Sequence, residues 1–312
     1  MKAFIKALLI IIVILALVII AVPMFVSKES MTVDEAAKKF AKGKFVTVDG
    51  KKVHYLEKGN GKPLLLIHGY TNNTVAWSNN IDALAKKFKV YAIDVWGHGY
   101  SERLKDMDYT FKQFARQLIG FMDVMNINSA SVVGHSMGGG IAAYTAAHFP
   151  NRVDSVILIG PAIIPHEPNF VIKFINPPYI GEFVSTVFGD ALIKAVLTSS
   201  CYQDPNWLTE KHFQELRLPS RIKGTQAAGL YISRNLFKPP LLTKEVEMLA
   251  KMDKPILLIH GDGDGLVPVN DSKELHKKWK SSKLEIFKQA KHNLHEEFPE
   301  KFNNLVENFL SK

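Results

Sequence analysis

From residue 63 onward, the chain alternates short, unbroken apolar runs with longer stretches in which apolar residues recur at helical spacing. Unbroken apolar strands are typical of parallel sheets that are covered on both faces. Their repeated alternation with helices is typical of a doubly wound α/β sheet. We therefore predict strands at 63–68, 89–94, 129–134, 155–160, 254–260 and 283–288, with helices near 77–87, 109–125, 137–149, 271–280 and 299–310.

Two shorter patterns precede the first of these strands. The Asp49-Gly50 pair separates two alternating segments and predicts a hairpin with a tight turn. Thr32 and Glu35 form a capping-box signature at the start of an amphipathic stretch that continues to Ala41. We expect this short helix to pack on the domain, with the membrane surface as the alternative location.

Residues 161–250 interrupt the alternation between two predicted strands. This stretch is too long for an ordinary crossover connection, and it is rich in Phe, Leu, Ile and Pro. We predict an inserted helical lid there. The predicted organisation is a membrane anchor at 1–28, an amphipathic linker helix at 29–44, an α/β core formed by 45–160 and 251–312, and the lid at 161–250.

The N-terminal prediction rests on residues 7–26, an uncharged apolar run of 20 residues. As a helix, this run would span roughly 30 Å, the thickness of a bilayer's hydrocarbon core. A cleaved signal peptide is the alternative, but Pro23-Met24-Phe25 makes a poor cleavage site. We predict a single-pass anchor in contact with membrane lipids, while lysines on both sides of the run give no orientation.

Composition narrows the classes of function. The chain has 312 residues, 47% of them hydrophobic, so a sizeable core can be buried. Its net charge of +9 comes from lysines spread along the sequence, without the aromatic-interleaved clusters of nucleic-acid binders. We therefore expect no nucleic-acid partner; a solvated surface or attraction to anionic lipids accounts for the charge. The lone Cys201 cannot form an internal disulfide.

The segment Gly134-His135-Ser136-Met137-Gly138 follows one predicted strand and opens the next helix. This G-x-S-x-G pattern in a strand–turn–helix context is typical of a nucleophile elbow, which lifts a serine hydroxyl above the sheet. The following helix directs its N-terminal N–H groups toward developing negative charge. Ser136 is therefore the candidate nucleophile, with the backbone N–H groups of Met137 and Tyr70 as candidate oxyanion donors.

A serine nucleophile needs a histidine base that is oriented by a carboxylate. Asp264 and His292 each follow a predicted strand, so they lie at the same sheet edge as Ser136. Asp262 and His295 are the competing choices for the acid and the base. A calcium loop around Asp262 is disfavoured because its third acid and closing glutamate are missing, and we expect no metal and no cofactor.

Taken together, these motifs resemble the α/β-hydrolase family, in the esterase and lipase branch that includes monoacylglycerol lipases. The resemblance covers about 45–310 and rests on "IHGY", "DVWGHGYS", "GHSMGG", "GDGDGLVP" and "KHNLHEEFPE". It implies Asp264 as the acid and, through the offsets of Glu297 and Pro299, His292 rather than His295 as the base. Two departures are Lys291, where the family usually has glycine, and Trp96, a larger residue that we expect to face the pocket.

The resulting hypothesis is a membrane-anchored serine hydrolase that cleaves apolar carboxylic esters, such as monoacylglycerols, through a Ser-His-Asp triad. A small-molecule or lipid ester is thus the expected partner. Alternatives are a carbon–carbon bond hydrolase of diketone-like substrates, whose elbow more often resembles "GNSMGG", and a non-catalytic binding module. Candidates to line an acyl pocket, with packing inside the lid as their alternative role, are Phe170, Phe174, Phe183, Phe188 and Leu192.

Overall fold

A computed structural model of the chain describes residues 1–104, 108–166, 173, 175–238 and 241–311. Its centre is an eight-stranded sheet in the order β1-β2-β4-β3-β5-β6-β7-β8. Strand β2 pairs antiparallel with both of its neighbours, β1 and β4. All pairs from β4–β3 to β7–β8 are parallel. The strands are β1 Lys44–Val48, β2 Lys51–Lys58, β3 Lys62–Ile67, β4 Phe88–Ile93, β5 Ala130–His135, β6 Val153–Ile159, β7 Ile256–Gly261 and β8 Ser282–Phe287.

The core occupies both faces of this sheet. In β3, Leu65 and Ile67 join the cluster on one face, whereas Leu64 and Leu66 join the cluster on the other. Because successive side chains of a strand point to opposite faces, a strand covered on both sides must be apolar at every position. This requirement explains the unbroken apolar runs, and it confirms the predicted doubly wound α/β sheet.

Helices cover the sheet and connect its strands. The helices are α1 Lys2–Phe25, α2 Val33–Phe40, α3 Ile81–Leu84, α4 Phe111–Val124, α5 Met137–His148, α6 Ile180–Val196, α7 Glu210–Arg217, α8 Thr225–Asn235, α9 Thr243–Ala250, α10 Val269–Lys278, α11 Leu294–Glu297 and α12 Pro299–Leu310. In the segment 161–250, which links β6 to β7 and which we call the inserted segment, the described residues include helices α6 to α9.

The hairpin and the capped helix form where the sequence predicts them. Asp49 and Gly50 both have positive φ, 51° and 74°, as a tight turn between twisted strands requires. At the start of α2, Thr32 accepts a hydrogen bond from the Glu35 amide, and the Glu35 carboxylate accepts one from the Thr32 amide. Ala36 is buried in a small cluster with Tyr100 and Ile222, so this helix packs on the domain.

The predicted helix at 77–87 is wrong in its length. The chain instead forms a 3-10 turn at Thr74–Trp77 and the single-turn helix α3. The Asn80 side chain donates to the His295 carbonyl and to Asn303, while Asn79 donates to the Glu296 carbonyl. These tertiary bonds hold a connection that is mostly non-helical.

The N-terminal helix α1 is long and apolar, and most of its side chains are exposed. Within the described residues, Phe4–Phe25 is the one stretch that meets the length and composition of a membrane span. Its half-buried positions are Ile19 and Ala21–Pro23, near its C-terminal end, and α1 lies beside α6.

Candidate active site

Ser136 stands between strand β5 and helix α5 in a strained conformation. Its φ of 54° and ψ of −116° are unusual for a residue with a side chain, and such strain concentrates at functional sites. The Ser136 amide donates to the Ile159 carbonyl of β6, and its carbonyl accepts from the amides of Gly139, Gly140 and Ala162. These bonds hold the turn in a fixed position at the carboxyl edge of the sheet.

The glycines around Ser136 allow backbone segments to approach one another closely. A Cβ atom at Gly134 would lie 2.1 Å from the Gly138 carbonyl oxygen, across the turn. A Cβ atom at Gly138 would lie 2.3 Å from the Ile67 carbonyl oxygen of β3. A side chain at either position would therefore force the elbow apart, which explains why glycine flanks the serine on both sides.

Asp264 and His292 form a hydrogen-bonded pair in the site. Nδ1 of His292 lies 2.7 Å from Oδ2 of Asp264, and both side chains are almost fully buried. The other carboxylate oxygen, Oδ1, accepts hydrogen bonds from the amides of Leu266 and Val267 at 2.8 and 2.9 Å. The backbone thus fixes the carboxylate, and the carboxylate in turn fixes the orientation of the His292 ring.

The Asp264 carboxyl is an anion in this setting. Burial alone would raise its pKa, but the nearby His292 imidazole and a hydrogen bond from His260 hold the pKa well below its usual range. Nε2 of His260 lies 3.2 Å from Oδ2 of Asp264. A permanent negative charge beside Nδ1 stabilises the imidazolium that forms when a histidine accepts a proton.

The competing residues lie in other surroundings. Asp262 is exposed, and its Oδ1 accepts a hydrogen bond from the Gln289 amide. His295 is fully buried against the rings of Trp77 and His135, and burial lowers its pKa to about 3. Neither residue faces the cavity that Ser136 and His292 share.

That cavity has a volume of about 440 Å³ and lies between the sheet edge and the inserted segment. Ser136 and His292 stand at its wall beside Gly69 and Tyr70 of the loop after β3. Much of the remaining wall is apolar and comes from the inserted segment. These apolar residues include Leu192, Ile193, Val196, Leu197, Leu230, Phe237 and Leu241.

The structure brings some of the predicted binding residues to this cavity and not others. Tyr70 and Leu192 line it, and the Tyr70 hydroxyl donates to the Gly229 carbonyl at 2.8 Å. Met137 is buried at the first position of α5, and Trp96 packs in the core; neither is among the lining residues. Phe183 and Phe188 also lie outside the lining, and Phe170 and Phe174 lie outside the described residues.

Several contacts to the loops that carry Asp264 and His292 come from residues for which the sequence predicted no role in the site. Two of these contacts are made by the short π-helical turn Leu197–Cys201. The Cys201 carbonyl accepts a hydrogen bond from the Asn293 amide, and the Ser199 carbonyl accepts one from the Lys291 ammonium. Burial lowers the pKa of His135, whose neutral ring donates from Nε2 to the His292 carbonyl. Among the described residues, no group of three His, Cys, Asp or Glu side chains could hold a metal ion.

Gly160 is another residue of the site for which the sequence predicted no role. The pattern that could have indicated it is a glycine at the very end of a buried strand. Its φ is 45°, and a Cβ atom there would lie 3.0 Å from Oδ2 of Asp264 and 3.2 Å from Nδ1 of His292. We expect Gly160→Ala to lower kcat/KM for an ester by about 10- to 100-fold, because small displacements of catalytic groups are costly. The left-handed backbone should also cost about 1–2 kcal/mol of stability.

The matched control is Gly263→Ala, beside Asp264 in the same loop. Its Cβ atom would meet the Ala290 carbonyl oxygen at 3.4 Å, an ordinary contact. We expect its ester hydrolysis to stay within about twofold of wild type. Equal activity of the two variants in a p-nitrophenyl ester assay would contradict the tight packing inferred at Gly160.

Comparisons with known proteins agree with the fold described above. The family described as alpha/beta hydrolase fold matches residues 62–299. A 2-hydroxymuconate semialdehyde hydrolase of Pseudomonas sp. is 29% identical over 284 residues, covering 86% of this chain and 94% of the relative. A meta-cleavage product hydrolase of Pseudomonas fluorescens superposes with a TM-score of 0.72 at 25% identity, covering 86% of this chain and 97% of the other.

The match to one further solved structure includes the N-terminal helix of this chain. A bacterial membrane phospholipase A superposes with a TM-score of 0.72 and covers 100% of this chain and 98% of its own. At 22% identity, this similarity shows a shared fold.

Proposed function

Because this chain belongs to the α/β-hydrolase fold family, we propose that it is a serine hydrolase of carboxylic esters, with apolar acyl esters such as monoacylglycerols as substrates. The observation that carries the proposal is the buried Asp264–His292 pair beside the same cavity as the strained Ser136 turn. A serine on such a turn, a histidine and a carboxylate are the groups that acyl transfer requires.

In the acylation step, the Ser136 hydroxyl attacks the ester carbonyl carbon while Nε2 of His292 accepts the hydroxyl proton. The carbonyl oxygen becomes an oxyanion, which the backbone N–H groups of Tyr70 and Met137 stabilise. The tetrahedral intermediate then collapses, the C–O bond to the alcohol breaks, and His292 returns the proton to the leaving alkoxide. Asp264 keeps Nδ1 protonated throughout, so that Nε2 is free to accept.

Deacylation repeats this chemistry with water as the nucleophile. His292 removes a proton from a water molecule that attacks the acyl-enzyme carbonyl, and the second tetrahedral intermediate expels the Ser136 oxygen. The products are a carboxylic acid and the regenerated hydroxyl, so the cycle needs no redox partner and no cofactor.

The choice of apolar esters is supported by the cavity and by α1. Leu192 and its apolar neighbours in the inserted segment would surround an acyl chain, and we propose that this segment acts as the lid. We also propose that α1 anchors the chain in a membrane. A tethered enzyme meets lipid-dissolved esters at a high effective concentration.

A second candidate function is the hydrolysis of a carbon–carbon bond in a diketone-like substrate. Two of the similar proteins described above carry names of this class. The same serine, histidine and carboxylate would serve that reaction. The "GHSMGG" elbow of this chain, with His135 before the nucleophile, favours the ester hydrolase.

Substrate classes can be separated directly with the purified full chain in detergent. We expect kcat/KM for p-nitrophenyl esters and monoacylglycerols to exceed that for 2-hydroxymuconate semialdehyde by at least about 100-fold. A series of esters with short, medium and long acyl chains would report the length of the pocket. Preferential turnover of the semialdehyde would favour the second candidate, and turnover of neither class would indicate a binding module.

A further inference from the structure

Part of the wall of the active-site cavity is formed by the segment that directly follows the N-terminal helix. Ser27, Lys28 and Glu29 line the same cavity as Ser136 and His292. A segment just past an apolar helix of membrane-spanning length lies at the membrane surface when that helix is inserted. The cavity therefore reaches the side of the domain that faces the membrane.

This wall segment is fixed to the inserted segment by several polar contacts. The Glu29 carboxylate accepts hydrogen bonds from the amides of Gly224 and Gln226, at the start of α8, at 2.8 and 2.5 Å. The Ser30 amide donates to the Arg221 carbonyl, and the Lys28 ammonium lies 3.2 Å from the Asp190 carboxylate of α6. The residues between the anchor and the domain thus hold a defined place beside the cavity.

Helix α6 connects this wall to the apolar surface of α1. Its residues Leu192, Ile193 and Val196 line the cavity, whereas Val187 and Phe188 are 39% and 51% exposed. Helix α1 lies beside α6, and the half-buried positions of α1, Ile19 and Ala21–Pro23, are near its C-terminal end. The exposed apolar side chains of α6 therefore belong to a helix that packs beside the apolar helix α1.

We propose that Val187 and Phe188 of α6 contact the bilayer and that the cavity opens there, between α6 and Ser27–Glu29, so that esters dissolved in the membrane reach Ser136 without crossing water. This inference rests on the proposed ester hydrolase function and specifies its substrate as a membrane-dissolved ester. The occupant of the exposed apolar surface is the lipid bilayer, because α6 lies beside the apolar helix α1 and Lys28, just past α1, pairs with Asp190, close to Phe188 in α6. Large exposed apolar patches commonly mark such contacts.

The test uses the full chain reconstituted in phosphatidylcholine vesicles, so that α1 keeps every variant membrane-bound. Each sample is assayed with a long-chain monoacylglycerol in the vesicles and with a short-chain, water-soluble p-nitrophenyl ester. The ratio of the two kcat/KM values is the readout. Val187→Asp places a charge on the proposed contact surface, and we expect it to lower the ratio by about tenfold.

Val124→Asp is the matched control. Val124 is 49% exposed at the last position of α4, away from α1 and α6, and the same substitution there should leave the ratio within about twofold of wild type. Thermal melts of both variants establish that the fold is retained. A Val187→Asp chain that fails to fold would be replaced by Val187→Ser, for which a smaller decrease in the same ratio is expected.

The possible outcomes separate the inference from its premise. Wild-type turnover of both esters, with an unchanged ratio in Val187→Asp, would overturn membrane access while leaving the hydrolase function intact. A shift from dimer to monomer in Val187→Asp, again with an unchanged ratio, would assign the surface to a second copy of the chain and overturn the bilayer contact. Wild-type turnover of neither ester would overturn the proposed function and this inference together.

Discussion

Ser136→Ala is expected to reduce kcat for p-nitrophenyl ester hydrolysis by about 10⁴- to 10⁶-fold while leaving the fold intact. Without the hydroxyl no acyl-enzyme can form, and only the oxyanion donors and substrate binding remain to assist water. Alanine places no new atom near the turn and meets the same steric restriction at a φ of 54°. The variant should therefore keep the thermal unfolding temperature of wild type.

Ser131→Ala is the control for this experiment, because Ser131 lies in the same strand β5, near its other end. Its activity should stay within about twofold of wild type. Comparable turnover by wild type and Ser136→Ala would remove Ser136 as the nucleophile and leave the elbow as a purely structural turn.

The sheet could be predicted because burial on both faces imposes a strong pattern. Leu64 to Ile67 must all be apolar when both faces of β3 are covered, so the strand is visible without any tertiary information. The position of Ser136 was similarly accessible, since the strained turn requires glycine at 134 and 138. In both cases, the physical constraint acts on a few consecutive residues, so it can be recognised in the local sequence.

Other features depend on contacts between segments that are distant in sequence. Asn79 and Asn80 bond to the short helix α11, which carries His295 and Glu296, and these contacts hold a turn where the sequence predicts a long helix. The juxtaposition of Ser27–Glu29 with the cavity arises because α8 presents amides to Glu29, almost 200 residues away. No periodicity of the chain encodes such pairings.

The inserted segment illustrates the same limit for binding residues. Its apolar composition predicts helices with one buried side, but it does not give the rotation of each helix. Leu192 lines the cavity, whereas Phe188, one turn earlier on the same face of α6, is half exposed, so the face of a helix does not by itself identify the lining residues. Helical spacing alone cannot decide which side meets the substrate when both the core and a membrane can cover apolar residues.

Asp264→Asn is the second substitution with a large expected effect, a decrease in kcat of about 10³- to 10⁴-fold. The amide oxygen can still accept the amides of Leu266 and Val267, which turns the NH₂ group toward Nδ1 of His292. Nδ1 must then accept rather than donate, so the ring proton moves to Nε2. A protonated Nε2 cannot remove the Ser136 proton, and catalysis fails although the geometry is preserved.

Asp262→Asn tests the assignment within the same loop. The exposed Asp262 accepts one hydrogen bond from the Gln289 amide, and asparagine retains that acceptor. Its kcat in the p-nitrophenyl ester assay should stay within about twofold of wild type. Loss of activity in Asp262→Asn together with retained activity in Asp264→Asn would transfer the role of the orienting acid to Asp262. Such a result would require the loop after β7 to rearrange before catalysis, because only Asp264 of the two now contacts the His292 ring.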